Sequence, residues 1–105
     1  MTPEKVKQAF QQCEDILIAA GIDEEKSAHD EVLESLDGVG VAAGHALYMV
    51  REGRKLVDQD RAEKAMRCLG FVQGVLWAIG LVTIEELKNM NKPPDRKNWY
   101  VRLEK

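Results

Sequence analysis

The sequence predicts an all-α protein, an irregular bundle of about four helices followed by an extended C-terminal tail. Apolar residues recur at spacings of three and four along most of the 105 residues, which is the period of a helix buried on one side. Cap and stop signals, namely Thr-Pro, Gly and Pro-Pro, separate these stretches. A chain with 45% hydrophobic and 31% charged residues is typical of one globular domain and excludes collagen-like or low-complexity sequence.

The first helix is predicted from its ends and its spacing. Thr2 can cap the first turn, and Pro3 fits the first helical position because its missing N–H needs no partner there. Gly21 is expected to end the helix in a left-handed conformation. The apolar positions between these signals are Val6, Ala9, Phe10, Cys13, Leu17 and Ala20.

A long second helix is predicted from about residue 24 to about residue 53. Asp23 can open it, and Glu24 and Glu25 suit its positive N-terminal end. Its apolar stripe consists of Val32, Leu36, Val39, Ala43, Leu47 and Val50. The segment from Gly53 to Asp60 is interpreted as the turn between two long antiparallel helices, with a shorter helix before them and another after them.

The third helix is predicted from about residue 60 to Ile79, with Gly80 after it. One face carries Ala62, Ala65, Met66, Leu69, Val72, Leu76 and Ile79. Phe71, Val75 and Trp77 fall on other sides, so the helix is apolar nearly all round from Leu69 onward. Such a helix is either central or shared with another subunit. We therefore expect a homodimer with the second and third helices at its interface.

A short fourth helix begins at a capping box, Thr83 with Glu86, and ends by Asn91. The pair Pro93-Pro94 prevents its continuation. These boundaries divide the chain into a helical bundle, residues 1–94, and a tail, residues 95–105, that is expected to pack on the bundle.

Two glycine pairs, Gly40 with Gly44 and Gly70 with Gly74, have the spacing that lets two helices approach closely. The favoured interpretation is a tight crossing of the second and third helices. The alternative is a ligand or partner seated on the glycine surface. No glycine-rich phosphate-binding motif occurs in the sequence, and no cofactor is predicted.

The charges are divided unevenly along the chain. Residues 1–60 hold 6 basic and 13 acidic residues, and residues 61–105 hold 9 and 5. The two halves can neutralise each other within one chain or across a dimer. Cys13 and Cys68 are expected to be buried free thiols. No apolar stretch is long enough to span a bilayer, and the N-terminus lacks a secretory signal, so a cytoplasmic protein is predicted.

Two acidic residues are weak candidates for a metal site. Glu34 and Asp37 share a helix face and could hold Mg²⁺. With Glu24-Glu25 they resemble the metal motif of MazG-like nucleotide pyrophosphohydrolases, although Lys26, Ser27 and Ala28 follow where that motif has a third acidic residue. The resemblance implies a Mg²⁺-dependent hydrolase as an alternative function. His29 and His45 are 16 residues apart on the predicted helix, too far to share a metal.

The C-terminal region combines basic and aromatic side chains, which is a pattern of single-strand nucleic-acid binding. Its candidate contacts are Lys92, Arg96, Lys97, Trp99, Tyr100 and Arg102. The simpler interpretation is that Trp99 anchors the tail to the bundle. Nucleic-acid binding is therefore a second alternative function.

Residues 63–80 and 83–93, which include the third helix and the capping box, resemble a segment of small uncharacterised proteins from tailed bacteriophages and prophages. The resemblance implies an accessory or host-interaction protein of a mobile element, and it implies no reaction. The function predicted first is accordingly a non-enzymatic protein–protein interaction, with a host or phage protein as partner.

Overall fold

The computed structural model describes residues 1–27 and 38–92, and within them the chain is all-α. The helices are α1 (Pro3–Ala19), α2 (Val39–Asp58), α3 (Ala62–Ala78) and α4 (Ile84–Met90). No β-strand occurs in these two ranges. The predicted fold class is therefore confirmed, whereas the predicted tail, residues 95–105, lies outside the described residues.

Helix α1 has the ends that the sequence predicts. The Thr2 hydroxyl accepts a hydrogen bond from the Lys5 N–H at 3.2 Å, and Pro3 is the first helical residue. After the helix, Gly21 adopts a φ of +78°, which favours glycine. The expectation that this helix is shorter than the third was wrong, because α1 and α3 both have 17 residues.

The predicted start of the second helix at about residue 24 was wrong, because residues 23–27 are not helical; the described helix α2 is Val39–Asp58. Residues 23–27, here called the strap, are not helical and lie across α2. The Glu25 N–H donates to the Gly44 carbonyl at 3.0 Å, and the Ser27 N–H donates to His45 Nδ1 at 3.1 Å. Since these two N–H groups have partners on α2, they are satisfied without a helix of their own.

The predicted turn, Gly53 to Asp60, begins too early. Gly53 lies inside α2 and is buried, and the chain turns at Gln59 to Arg61, where Asp60 has a φ of +59°. A Cβ atom at position 53 would lie within 3.0 Å of three atoms of the Phe10 ring. The glycine is there because α1 and α2 approach closely around this ring, which is fully buried.

Three helices enclose the core. An ion pair joins Lys7 to Asp58 and another joins Glu14 to Arg51, so α1 runs antiparallel to α2. The three-residue connection between α2 and α3 makes them an antiparallel hairpin, and α1 packs on both of them. The largest fully buried side chains are Phe10, Leu17, Leu47, Leu69, Leu76, Val50, Val72 and Cys13.

Helix α4 is fixed at both ends. The predicted capping box is present: Glu86 N–H donates to the Thr83 hydroxyl at 3.0 Å, and Thr83 N–H donates to the Glu86 carboxylate at 3.1 Å. At the other end, the side-chain amides of Gln73 and Asn91 donate to each other at 2.8 and 3.0 Å. Helix α3 ends as predicted just before Gly80, which has a φ of +81°.

The two cysteines are buried free thiols, as expected. Cys13 lies against the Met90 sulfur at 3.7 Å, and Cys68 donates to the Met49 carbonyl at 3.1 Å. Burial raises the pKa of Cys13 to about 12 and also raises the pKa of Cys68. Both thiols therefore act as core packing groups and are poor nucleophiles at neutral pH.

Candidate functional site

The α2–α3 hairpin has one face that α1 does not cover. A groove of about 480 Å³ runs along this face. Its α2 wall consists of His45, Tyr48, Met49, Glu52 and Leu56, and its α3 wall consists of Lys64, Arg67, Cys68 and Phe71. We call these nine residues the open face. Helix α1 contacts α2 through other residues, namely Arg51, Gly53 and Arg54, so it packs on a different side of the hairpin.

The spacing of the residues explains how two helices build the groove. Positions 45, 48, 49, 52 and 56 recur at three and four along α2, and positions 64, 67, 68 and 71 do so along α3. Met49, Leu56 and Phe71 give the groove its apolar surface, and the Phe71 residue is 49% exposed. An aromatic side chain so exposed, beside other apolar groups, is typical of a surface that binds another molecule.

The two walls carry opposite charges. The α2 wall has Glu52, and the α3 wall has Lys64 and Arg67. Glu52 accepts a hydrogen bond from Lys55 at 3.2 Å, and Arg67 donates to Glu63 at 2.9 Å, in both cases within one helix. Exposed pairs of this kind contribute little to stability. These side chains can therefore change partners at low cost when another charged surface approaches.

One end of the groove is aromatic and is held by the strap. The His45 ring stacks on Tyr48 at 5.7 Å between centroids and meets Phe71 edge-on at 6.1 Å. Lys26 of the strap lies 5.5 Å from the centre of the Tyr48 ring. The Ser27 N–H bond to Nδ1 fixes the orientation of His45. The strap thus positions the aromatic end of the groove.

The glycine pairs do not meet at a crossing of α2 and α3. Among the described residues, no side chain and no backbone of another element comes within 4 Å of a Cβ built at Gly40, Gly70 or Gly74, whereas Gly44 lies under the strap. The favoured interpretation from the sequence is therefore not what these described residues show. That these glycines contribute to an interface with another molecule stays a prediction.

The other residues predicted for an interface lie on α3 as follows. Trp77 is 54% exposed, on the side of α3 that also carries Gly70 and Gly74. Val75 is half-buried and packs against the core. Phe71 alone among the predicted interface residues lies in the groove.

Replacement of Gly44 by alanine is expected to displace the strap. The new Cβ would lie 2.8 Å from the Asp23 carbonyl oxygen and 2.9 Å from the Glu25 Cβ, which is too close for both atoms. The strap would have to move away from α2, and this movement would break the hydrogen bond from the Glu25 N–H to the Gly44 carbonyl. We expect a loss of about 1–2 kcal/mol in the free energy of unfolding, measured by urea denaturation, despite the better helix propensity of alanine. The Glu25 amide should also exchange its hydrogen faster.

Gly40→Ala on the same helix is the matched control, since no described atom of another element lies within 4 Å of its Cβ position. It should leave stability unchanged or slightly improved. Equal stability of the two variants, with unchanged exchange at Glu25, would show that the strap does not depend on Gly44.

Several predicted site residues lie outside the described residues. They are Glu34 and Asp37 of the candidate metal site, His29, and the tail residues Arg96, Lys97, Trp99, Tyr100 and Arg102. Lys92 is described and is half-buried, and Glu24 and Glu25 belong to the strap. Within residues 1–27 and 38–92, no three or more His, Cys, Asp or Glu side chains are grouped to hold a metal ion.

Comparison of the chain with protein-family models, with curated proteins and with solved structures finds no match. A search of the described helices for a membrane span also finds none that is long and apolar enough.

Most of the groove was missed by sequence reasoning, which singled out Phe71 but not Glu52, Lys64 or Arg67. The usable signal is the helical spacing of mixed apolar and charged residues on both sides of the α2–α3 turn. That spacing identifies the groove only when it is known which side of the α2–α3 hairpin α1 packs on.

Proposed function

We propose that the protein is a non-enzymatic interaction protein that binds another protein chain through its open face. The observation that carries this proposal is the half-exposed apolar groove between α2 and α3, with Phe71 on its surface and charged side chains on both walls. Protein-binding surfaces commonly have this arrangement, in which an apolar centre is bordered by polar groups.

The residue types of the groove support a protein partner. Tyr, Phe, Met and Arg are enriched at protein interfaces, and the groove has Tyr48, Phe71, Met49 and Arg67. Aromatic and arginine side chains also contribute most to binding where they become buried. Phe71, which is half-exposed in the free chain, is the residue from which we expect the largest contribution.

The shape of the groove favours a protein over a small molecule. Small-molecule sites enclose most of their ligand's surface, and such enclosure needs walls on several sides. Here two antiparallel helices provide the walls, over residues 45–56 of α2 and residues 64–71 of α3. A helix or another extended apolar surface fits along such a groove, as in other helix-in-groove complexes.

Site-specific photocrosslinking tests the proposal. A benzophenone amino acid at position 71 is expected to form a covalent adduct with a protein chain in cells that express the variant. The same group at Gln8, an exposed position of α1, is the control and should give no such adduct. A second substitution in the groove, Leu56→Asp, should abolish the adduct from position 71 because it places a charge on the apolar surface.

Absence of a protein adduct from position 71 would contradict the proposed function. An adduct that persists unchanged with Leu56→Asp would contradict it as well, because that adduct would not depend on the groove.

A further inference from the structure

We propose that a second copy of this chain occupies the open face, with α2 of each copy packed on α3 of the other. This inference rests on the proposed function, since it names the partner for the same surface. Two α2–α3 hairpins would then form a four-helix arrangement, with each α1 on the outside.

The opposite charges of the two walls support a second copy as the partner. A two-fold axis parallel to the hairpin places α2 of one copy over α3 of the other at the same height. Glu52 of each copy then faces Lys64 and Arg67 of the other, because all three residues line one groove. The two-fold rotation thus produces two identical sets of opposite charges, one at each α2–α3 contact between the copies.

The apolar parts of the face also match under this operation. Phe71 on α3 of one copy would face His45 and Tyr48 on α2 of the other, since these three rings already lie at one height of the hairpin. Met49 and Leu56 would cover the part of the groove that remains. The half-exposed surface of Phe71 would become buried twice, once in each copy.

The size of the face fits a weak, reversible dimer. Its residues span positions 45–56 of α2, so the face is roughly 18 Å long at 1.5 Å per residue, and two helices are roughly 20 Å wide. The footprint is then on the order of 350 Å² per copy, or about 700 Å² in all, which is below the range of stable complexes and is typical of a transient one. We therefore expect the dimer to dissociate on dilution.

A charge exchange between the walls tests this arrangement. The first variant is Glu52→Lys, and the second is the double variant Lys64→Glu with Arg67→Glu. Each variant paired with itself places like charges opposite each other. The two variants paired with one another restore both sets of opposite charges, so only the mixed dimer is complementary.

Native mass spectrometry on isotopically distinct chains gives the readout. We expect each variant alone to dimerise at least tenfold more weakly than the unmodified chain, and the mixture to recover a dimer of two unlike chains. Asp15→Lys on α1, on the other side of the molecule, is the control and should dimerise like the unmodified chain. Circular dichroism checks that all variants keep their helices; the side chains of Glu52 and Arg67 are 40% and 67% exposed.

An unmodified chain that stays monomeric, variants that dimerise normally, or a mixture that forms no mixed dimer would each overturn the inference. Photocrosslinking from position 71 distinguishes failure of the dimer proposal from failure of the proposed function. A monomeric chain that crosslinks to a different protein retains the function and loses the second copy as partner. A monomeric chain without any protein adduct loses both.

Discussion

Replacement of Phe10 by alanine is expected to lower the free energy of unfolding by about 3–5 kcal/mol. The ring is fully buried at the contact between α1 and α2, and it lies against the backbone of Gly53. Alanine would leave a cavity there that two helices cannot close without losing their other contacts. Urea denaturation followed by circular dichroism measures the loss. For a domain of this size, such a loss removes much of the total stability.

The partner of Phe10 across this contact gives a sharper test. Gly53→Ala gains helix propensity, yet its Cβ would overlap the ring, so we expect a net loss of about 1–3 kcal/mol. Gly70→Ala is the matched control in the middle of α3, where no described atom of another element lies within 4 Å of the Cβ position, and it should gain about 0.5–1 kcal/mol.

The two changes at this contact should also be coupled. In a Phe10→Leu background the ring is gone, and Gly53→Ala should then cost less than in the unmodified chain. Equal costs in both backgrounds would show that the glycine is not required by the ring.

Loss of the Glu14 carboxylate is the second large effect that we expect. Glu14 is 8% exposed and accepts hydrogen bonds from Arg54 at 2.9 and 3.0 Å and from Arg51 at 3.0 Å. Arg51 also donates to Glu24 of the strap at 2.6 Å, so the carboxylate joins α1, α2 and the strap. Glu14→Ala should cost about 1.5–3 kcal/mol at pH 7, because hydrogen bonds to charged groups would be lost.

This carboxylate also predicts a pH dependence. The hydrogen bond from Arg54, together with that from Arg51, holds the pKa of Glu14 below its usual range. Because the pKa is lower in the folded state, the stabilisation is present above the unfolded-state pKa of about 4.3 and is lost as the pH falls through the folded-state value. Glu14→Gln should therefore reduce the loss of stability between about pH 5 and pH 2.

Glu63→Gln is the control for this measurement, since Glu63 is 90% exposed and pairs only with Arg67 among the described residues. It should leave the slope of stability against pH nearly unchanged. If Glu14→Gln and Glu63→Gln gave the same slope, the lowered pKa of Glu14 would not contribute to acid unfolding.

The ends of three helices could be predicted from the sequence because local chemistry determines them. Thr2 with Pro3, the Thr83–Glu86 capping box, and the glycines at 21 and 80 act within one turn of the chain. Helix α2 could not be predicted in this way. Glu25 and Ser27, which were predicted to lie in its first turn, donate hydrogen bonds to residues 44 and 45, and these are distant in sequence.

Gly53 shows why a local signal can mislead. A glycine followed by charged residues predicted a turn here, but the glycine lies inside the helix and gives room for a ring from another helix. The candidate site could be predicted only in part from the sequence. Phe71 and Trp77 fall off the main apolar face of α3, so the sequence indicated surplus apolar surface, whereas the groove depends on which side of the hairpin α1 covers.

The mass of the unmodified chain in solution, measured by light scattering along a dilution series, tests the central claim most directly. One copy has a mass of 11.8 kDa. We predict a mass near twice that value at high concentration, which falls toward one copy on dilution, and a single-copy mass at all concentrations for Phe71→Asp. A single-copy mass for the unmodified chain, or a dimer that Phe71→Asp leaves intact, would contradict a dimer formed through the open face.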